Sequence, residues 1–113
     1  MDYKIDITYE APYYKLIQKK PIDSKEIYSK LINWVSGEFD VYLQDETSGL
    51  IIYYPNGSFS IDCNFQLNDE IIEFIVISKS KKSCFNMLVK VIFIYNNICQ
   101  IYGFNNPITY ELQ

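Results

Sequence analysis

Alternation of apolar and polar side chains organises the start of this chain. Tyr3, Ile5, Ile7 and Tyr9 alternate with Lys4, Asp6, Thr8 and Glu10, a period of two that predicts a half-buried strand. Pro12 ends it. Residues 13–20 keep no clean period, and Pro21 marks the next boundary. The period then lengthens. Ile27, Leu31, Trp34 and Val35 fall at i, i+4, i+7 and i+8, one stripe of an amphipathic helix over about 24–36. Asp23 is the expected N-cap, with Glu26 at the reciprocal capping position and Ile22 and Ile27 spaced as a hydrophobic staple. Gly37 suits the left-handed stop position, and Trp34 is expected to anchor the core.

A period of two returns after the helix. Over 38–44, Phe39, Val41 and Leu43 would face the core, while Glu38, Asp40, Tyr42 and Gln44 face outward. Residues 45–49 read as a turn and 50–54 as a short apolar strand. Asn56-Gly57 is a strong hairpin signal, because both residues tolerate positive φ. Phe59, Ile61, Cys63, Phe65 and Leu67 then alternate with Ser58, Ser60, Asp62, Asn64 and Gln66. Asn68-Asp69 predicts a turn, and 71–77 a strand buried on both faces. Residues 79–82 read as a solvated loop. Residues 87–95 and 98–104 flank Asn96-Asn97 as a second hairpin, with a helix over 84–95 as the competing reading. Asn105-Asn106-Pro107 turns the chain toward a final edge strand at 108–112.

One helix among adjacent strands with short connections predicts a single α+β domain of 113 residues. Its mostly antiparallel sheet should have about 5–7 strands, with the helix on one face. Eleven tyrosines and seven phenylalanines agree with this, since aromatic residues favour strands. The start has no signal-peptide h-region. The run 87–95 is interrupted by Lys90 and is shorter than the ~20 residues of a membrane helix. Cys63, Cys84 and Cys99 are too few and too scattered for a disulfide framework. These features together predict a cytoplasmic protein without a membrane segment.

Charge adds the most specific feature. Residues 31–78 contain no basic side chain and carry Glu38, Asp40, Asp45, Glu46, Asp62, Asp69, Glu70 and Glu73, a net charge of −8. All ten lysines lie outside that stretch, and the chain has neither histidine nor arginine. Without histidine there is no Ser-His or Cys-His nucleophile pair. Three separated cysteines do not make a zinc site of the usual kind, and no phosphate-binding glycine loop occurs. Ser78, Lys79, Ser80 and Lys82 form a polar run too wet to provide a desolvated lysine base. The sequence therefore predicts no catalytic residues, no metal and no cofactor. A pI near 4.7 without arginine disfavours nucleic acid as a partner.

The acids in turns read as solvated residues. Those on the predicted strands read as a candidate partner-binding face, with aromatics at hand: Glu38, Asp40, Tyr42 and Asp62, supplemented by Asp45, Glu46, Tyr53 and Tyr54. Tyrosine brings large contact area at low entropy cost, and grouped carboxylates steer a basic partner.

A small acidic α+β domain lacking catalytic apparatus resembles bacterial immunity proteins, which block toxins, often nucleases, delivered by competing cells. The resemblance lies in size and in the acids and tyrosines just named. It implies an inhibitor that occludes the cationic or active surface of a basic toxin domain. A phage-type inhibitor of a host defence protein would show the same acidic surface. A small ligand-binding domain would instead need a concavity where a carboxylate meets aromatic rings, and a structural homodimer would join through exposed tyrosines or an edge strand.

Overall fold

The computed structural model describes residues 5–47, 49–63 and 71–102. The described residues form six strands and two helices: β1 (Asp6–Glu10), β2 (Tyr13–Pro21), α1 (Lys25–Glu38), β3 (Leu43–Asp45), β4 (Leu50–Tyr54), β5 (Gly57–Cys63), β6 (Ile71–Ser78) and α2 (Lys81–Tyr102). The strands form one sheet in the order β1-β2-β6-β5-β4-β3, with every neighbouring pair antiparallel. This is the α+β architecture expected from the sequence, with the segment 13–20 resolved as a strand. The predicted turn at 68–69, the turn at 105–107 and the edge strand at 108–112 lie outside the described residues.

Directly opposed residues share a face, so the register fixes two surfaces. Ile7, Leu16, Val76, Phe59, Ile52 and Gln44 form one row across all six strands. Within it Leu16, Val76, Phe59 and Ile52 are buried and belong to one core with Ile27, Leu31 and Val35 of α1 and Leu88, Val91 and Ile98 of α2. The next row on the opposite face is Asp6, Ile17, Ile75, Ser60, Ile51 and Asp45. Both helices therefore lie on one side. In β6, Ile72, Phe74, Val76 and Ser78 are buried while Ile71, Glu73, Ile75 and Ile77 are partly exposed. The strand is covered on one face, whereas the sequence predicted two.

Helix α1 starts one residue later than predicted. Ser24 is the N-cap, and its hydroxyl accepts the Ile27 amide at 3.2 Å. Ile22 and Ile27 are buried, as the staple requires. Trp34 corrects the expectation of a core anchor: it is 50% exposed, while Leu31 and Val35 carry the stripe. Gly37 does not stop the helix, which continues to Glu38 and is capped by Phe39, whose amide donates to the Val35 carbonyl at 3.1 Å.

That extension overturns the strand predicted over 38–44. Glu38 ends α1, residues 39–42 turn, and only Leu43–Asp45 is strand. Phe39 is buried edge-on to Phe59, with ring centroids 5.1 Å apart. Val41 and Leu43, the other two residues assigned to the core, are 83% and 74% exposed. Gln44 points inward, not outward. The second predicted hairpin is also replaced: residues 81–102 form one helix, and Asn96-Asn97 lies within it. Cys84, Leu88, Val91, Ile94, Tyr95 and Ile98 form its buried face, and the Tyr95 hydroxyl donates to the Pro21 carbonyl.

The β4–β5 hairpin is present, but its turn is Pro55-Asn56, with Tyr54 opposite Gly57 and Asn56 at φ 67°. Gly57 serves a different need. A Cβ there would lie 2.1 Å from the Ile77 carbonyl oxygen and 3.0 Å from the Tyr54 ring. Only glycine admits that approach.

Candidate functional site: an acidic half-domain

The chain from the middle of α1 through β3, β4, β5 and β6 contains no lysine in any described residue. Those strands are contiguous in the sheet, so the charge segregation along the sequence becomes segregation in space. The lysines of β2 and those at the start of α2 flank the other half.

The predicted site residues divide into three groups. Asp45, Tyr53 and Asp62 lie on the open sheet face: Tyr53 is opposite Ser58 and Leu43, and Asp62 follows Ser58 and Ser60 in the outward set of β5. Glu38, Asp40 and Tyr42 lie at the end of α1 and in the following turn, exposed at the β3 edge and not on the sheet face. Tyr54 belongs to the opposite, helix-covered face. Its hydroxyl donates to the Ile77 carbonyl at 3.1 Å, and burial, with the nearby Cys84 thiol, pushes its pKa up to about 12. The expected alignment of Glu38, Asp40, Tyr42 and Asp62 on one sheet face is thus corrected: the acids meet around a corner, on two surfaces.

Local bonding shapes that corner. The Asp45 carboxylate accepts the Thr47 hydroxyl at 2.6 Å and the Thr47 amide at 2.8 Å, and these bonds hold its pKa below the usual carboxylate range. The loop beyond passes close to β5 at Gly49, where φ is 91° and a Cβ would lie 2.5 Å from the Ile61 carbonyl and 3.2 Å from Asp62 Oδ1. A side chain is excluded there by both φ and space, and the loop backbone rests against the Asp62 carboxylate.

Between α1 and this loop lies a cleft of about 280 Å³ lined by Tyr28, Ser29, Ile32, Asn33, Glu46 and Gly49. The Tyr28 hydroxyl donates to the Ile61 carbonyl at 3.4 Å. Burial, and secondarily the charge of Asp62, raises its pKa to about 12, so the phenol stays neutral at physiological pH. Of the predicted residues, Glu46 lines the cleft and Asp62 lies next to it. Tyr28, Ser29 and Asn33 were not read as site residues from sequence; their only signal was their place beside the apolar stripe of α1.

Gln44 holds this region to the helix. Its amide nitrogen donates to the Ser36 and Phe39 carbonyls, each at 2.9 Å, and its carbonyl oxygen accepts the Ser36 hydroxyl at 2.6 Å. A helix end leaves such carbonyls without intrahelical partners, and here the neighbouring strand supplies one. Chemically, the corner offers carboxylates, neutral hydroxyls and amides to a cation. Among the described residues, no group of three His, Cys, Asp or Glu side chains is placed to hold a metal ion.

Neither known protein-family models nor curated proteins match this chain.

Proposed function

We propose that this domain is an inhibitory binding module of the immunity type, which covers the basic surface of a protein partner with its acidic half. The observation that carries the reading is the lysine-free block of strands β3 to β6 with the end of α1. A surface free of compensating cations keeps its field and accelerates encounter with a positively charged partner. Asp45, Glu46, Asp62, Glu38 and Asp40 provide the charge, and Tyr42 and Tyr53 provide exposed aromatic area. The inhibitory act is occlusion, since binding needs no chemistry from this chain. The phage-type inhibitor would use the same surface and differ only in its target.

The test has two stages. Affinity capture from the native host with the wild type and with the E46K/D62K variant identifies proteins retained only by the wild type. Association kinetics with the purified partner then follow. The expected on-rate falls by about tenfold or more between low and physiological salt, and falls further for the variant. An on-rate indifferent to both changes would remove the electrostatic reading.

A second reading draws support from the cleft, whose lining includes both Glu46 and Tyr28. Such a concavity suits a small organic cation. Calorimetry with alkylammonium and guanidinium compounds checks it: saturable binding lost in E46Q supports the ligand site, and absence of heat removes it.

A further inference from the structure

Helix α2 carries a second surface, unlike the first. Its 22 residues contain Lys81, Lys82 and Lys90 and no carboxylate, with Lys79 just before its start. Among the described residues it is the one helix long and apolar enough to cross a membrane, judged by length and composition alone. It lies on the sheet, however, and only one side of it is satisfied. Phe85, Val89 and Phe93, at i, i+4 and i+8, point away from the core, with Val89 65% and Phe93 64% exposed. At about 100° per residue these three fall within an arc of roughly 80°, Lys82 lies inside that arc and Lys90 about 60° beyond it. The row ends at Asn96 and Asn97, which are exposed and polar.

We propose that this outward face of α2 docks on the surface of an anionic lipid bilayer, with Phe85, Val89 and Phe93 entering the headgroup boundary and Lys82 and Lys90 meeting lipid phosphates. The charge complementarity decides among possible occupants. A two-fold contact between α2 helices of two copies would offer Lys82 and Lys90 no carboxylate on the facing helix. A standard protein interface needs about 800 Å² from each partner, and a single row of three side chains is narrow for that. A membrane asks less: a line of aromatic and aliphatic side chains lying in the interface, with lysines beside it. The acidic turn at the β3 edge is three strands from β6, roughly 15 Å across the sheet, which allows the negative half to stay in solution. The sequence alone predicted no membrane segment because the apolar run 87–95 is interrupted by Lys90 and is too short to span a bilayer; docking on the surface asks only for the outward row that the helix provides.

Vesicle flotation with the full chain tests the inference. The probes are vesicles of phosphatidylcholine alone and of equal parts phosphatidylcholine and phosphatidylglycerol. The wild type should float with the anionic vesicles and not with the neutral ones, and added salt should weaken the association. K82E/K90E should lower partitioning by about tenfold or more, and V89S/F93S should lower it similarly; circular dichroism melts of both should match the wild type, since the four positions are exposed. Failure of the wild type to float, equal flotation with neutral vesicles, or insensitivity to both variants would overturn the proposal. So would sedimentation showing a wild-type oligomer that V89S/F93S dissolves, because the row would then be a protein contact.

Discussion

Gln44 caps the helix that ends at Glu38: its amide reaches the Ser36 carbonyl at 2.9 Å while the Ser36 hydroxyl donates back to it at 2.6 Å. A residue of the edge strand β3 thereby fixes the turn that carries Asp40 and Tyr42. Replacing Gln44 with Ala removes both of its carbonyl contacts, at Ser36 and Phe39, and should cost about 1–3 kcal/mol. Urea unfolding checks this as a lower midpoint at unchanged slope. Gln44→Glu should do no better, because it loses the two amide donations and sets a negative charge at a helix C-terminus.

Gly57 should be intolerant of any side chain. Ala at this position meets the Ile77 carbonyl at 2.1 Å, and relief requires movement of the central strand, for about 1–3 kcal/mol. The lowered melting temperature should persist in G57A/Y54A. Deleting the Tyr54 ring removes the 3.0 Å contact but leaves the backbone clash.

Alkaline pH should weaken the fold in a defined window. Tyr28 and Tyr54 have folded-state pKa values pushed up to about 12 from 10.0 by burial. The folded chain therefore holds these protons more tightly than the unfolded chain. The associated stability is present below pH 10 and is lost as pH rises through about 12. Denaturant midpoints across this range should fall more steeply for the wild type than for Y28F/Y54F. Ultraviolet titration should show a late tyrosinate step that the double variant lacks.

The continuity of α2 through Asn96-Asn97 is testable by proline. Asn97→Pro, inside the helix, should destabilise by about 3 kcal/mol or more, whereas a hairpin turn at this place would accept it with little loss. Thermal melts and far-ultraviolet circular dichroism read the difference.

The two residues once expected to act together on α1 should separate. Leu31 is fully buried, and Leu31→Ala should cost about 2–5 kcal/mol. Trp34 is half exposed, so Trp34→Ala should cost about 1 kcal/mol or less. The emission of this sole tryptophan should be red-shifted and accessible to acrylamide.

Much of the fold was legible because local period and burial agreed. Tyr3 to Glu10 alternated, and 6–10 is a strand, but at the sheet edge all five of its residues are exposed and the expected half-burial is absent; the stripe of Ile27, Leu31 and Val35 faces the core; Phe59 and Ile61 point inward while Ser58, Ser60 and Asp62 point outward. Where local signals conflicted, long-range packing decided. In 38–44 an alternating pattern lost to a helix two residues longer and the turn that follows it, because Phe39 finds Phe59 and Gln44 finds the helix end. In α2, the pair Asn96-Asn97 suggested a turn, yet Cys84, Leu88, Val91, Tyr95 and Ile98 recur at intervals of four and three, a helical stripe present in the sequence and outweighed by turn chemistry. The acids of the site were legible as a set. Their placement around a corner was not, since it depends on where α1 ends.

The position of β6 between β2 and β5 has a consequence for how the molecule is assembled. Before residues 71–78 are available, the hairpin β1–β2 and the meander β3–β4–β5 share no strand pairing, and α1 is the link between them. The strand that unites the sheet is therefore the last strand among the described residues. A nascent chain leaving the ribosome holds two unjoined pieces with open hydrogen-bonding edges until that strand arrives. Its arrival brings residues 14 and 78 face to face, a closure over most of the chain's length of the kind that makes folding slow.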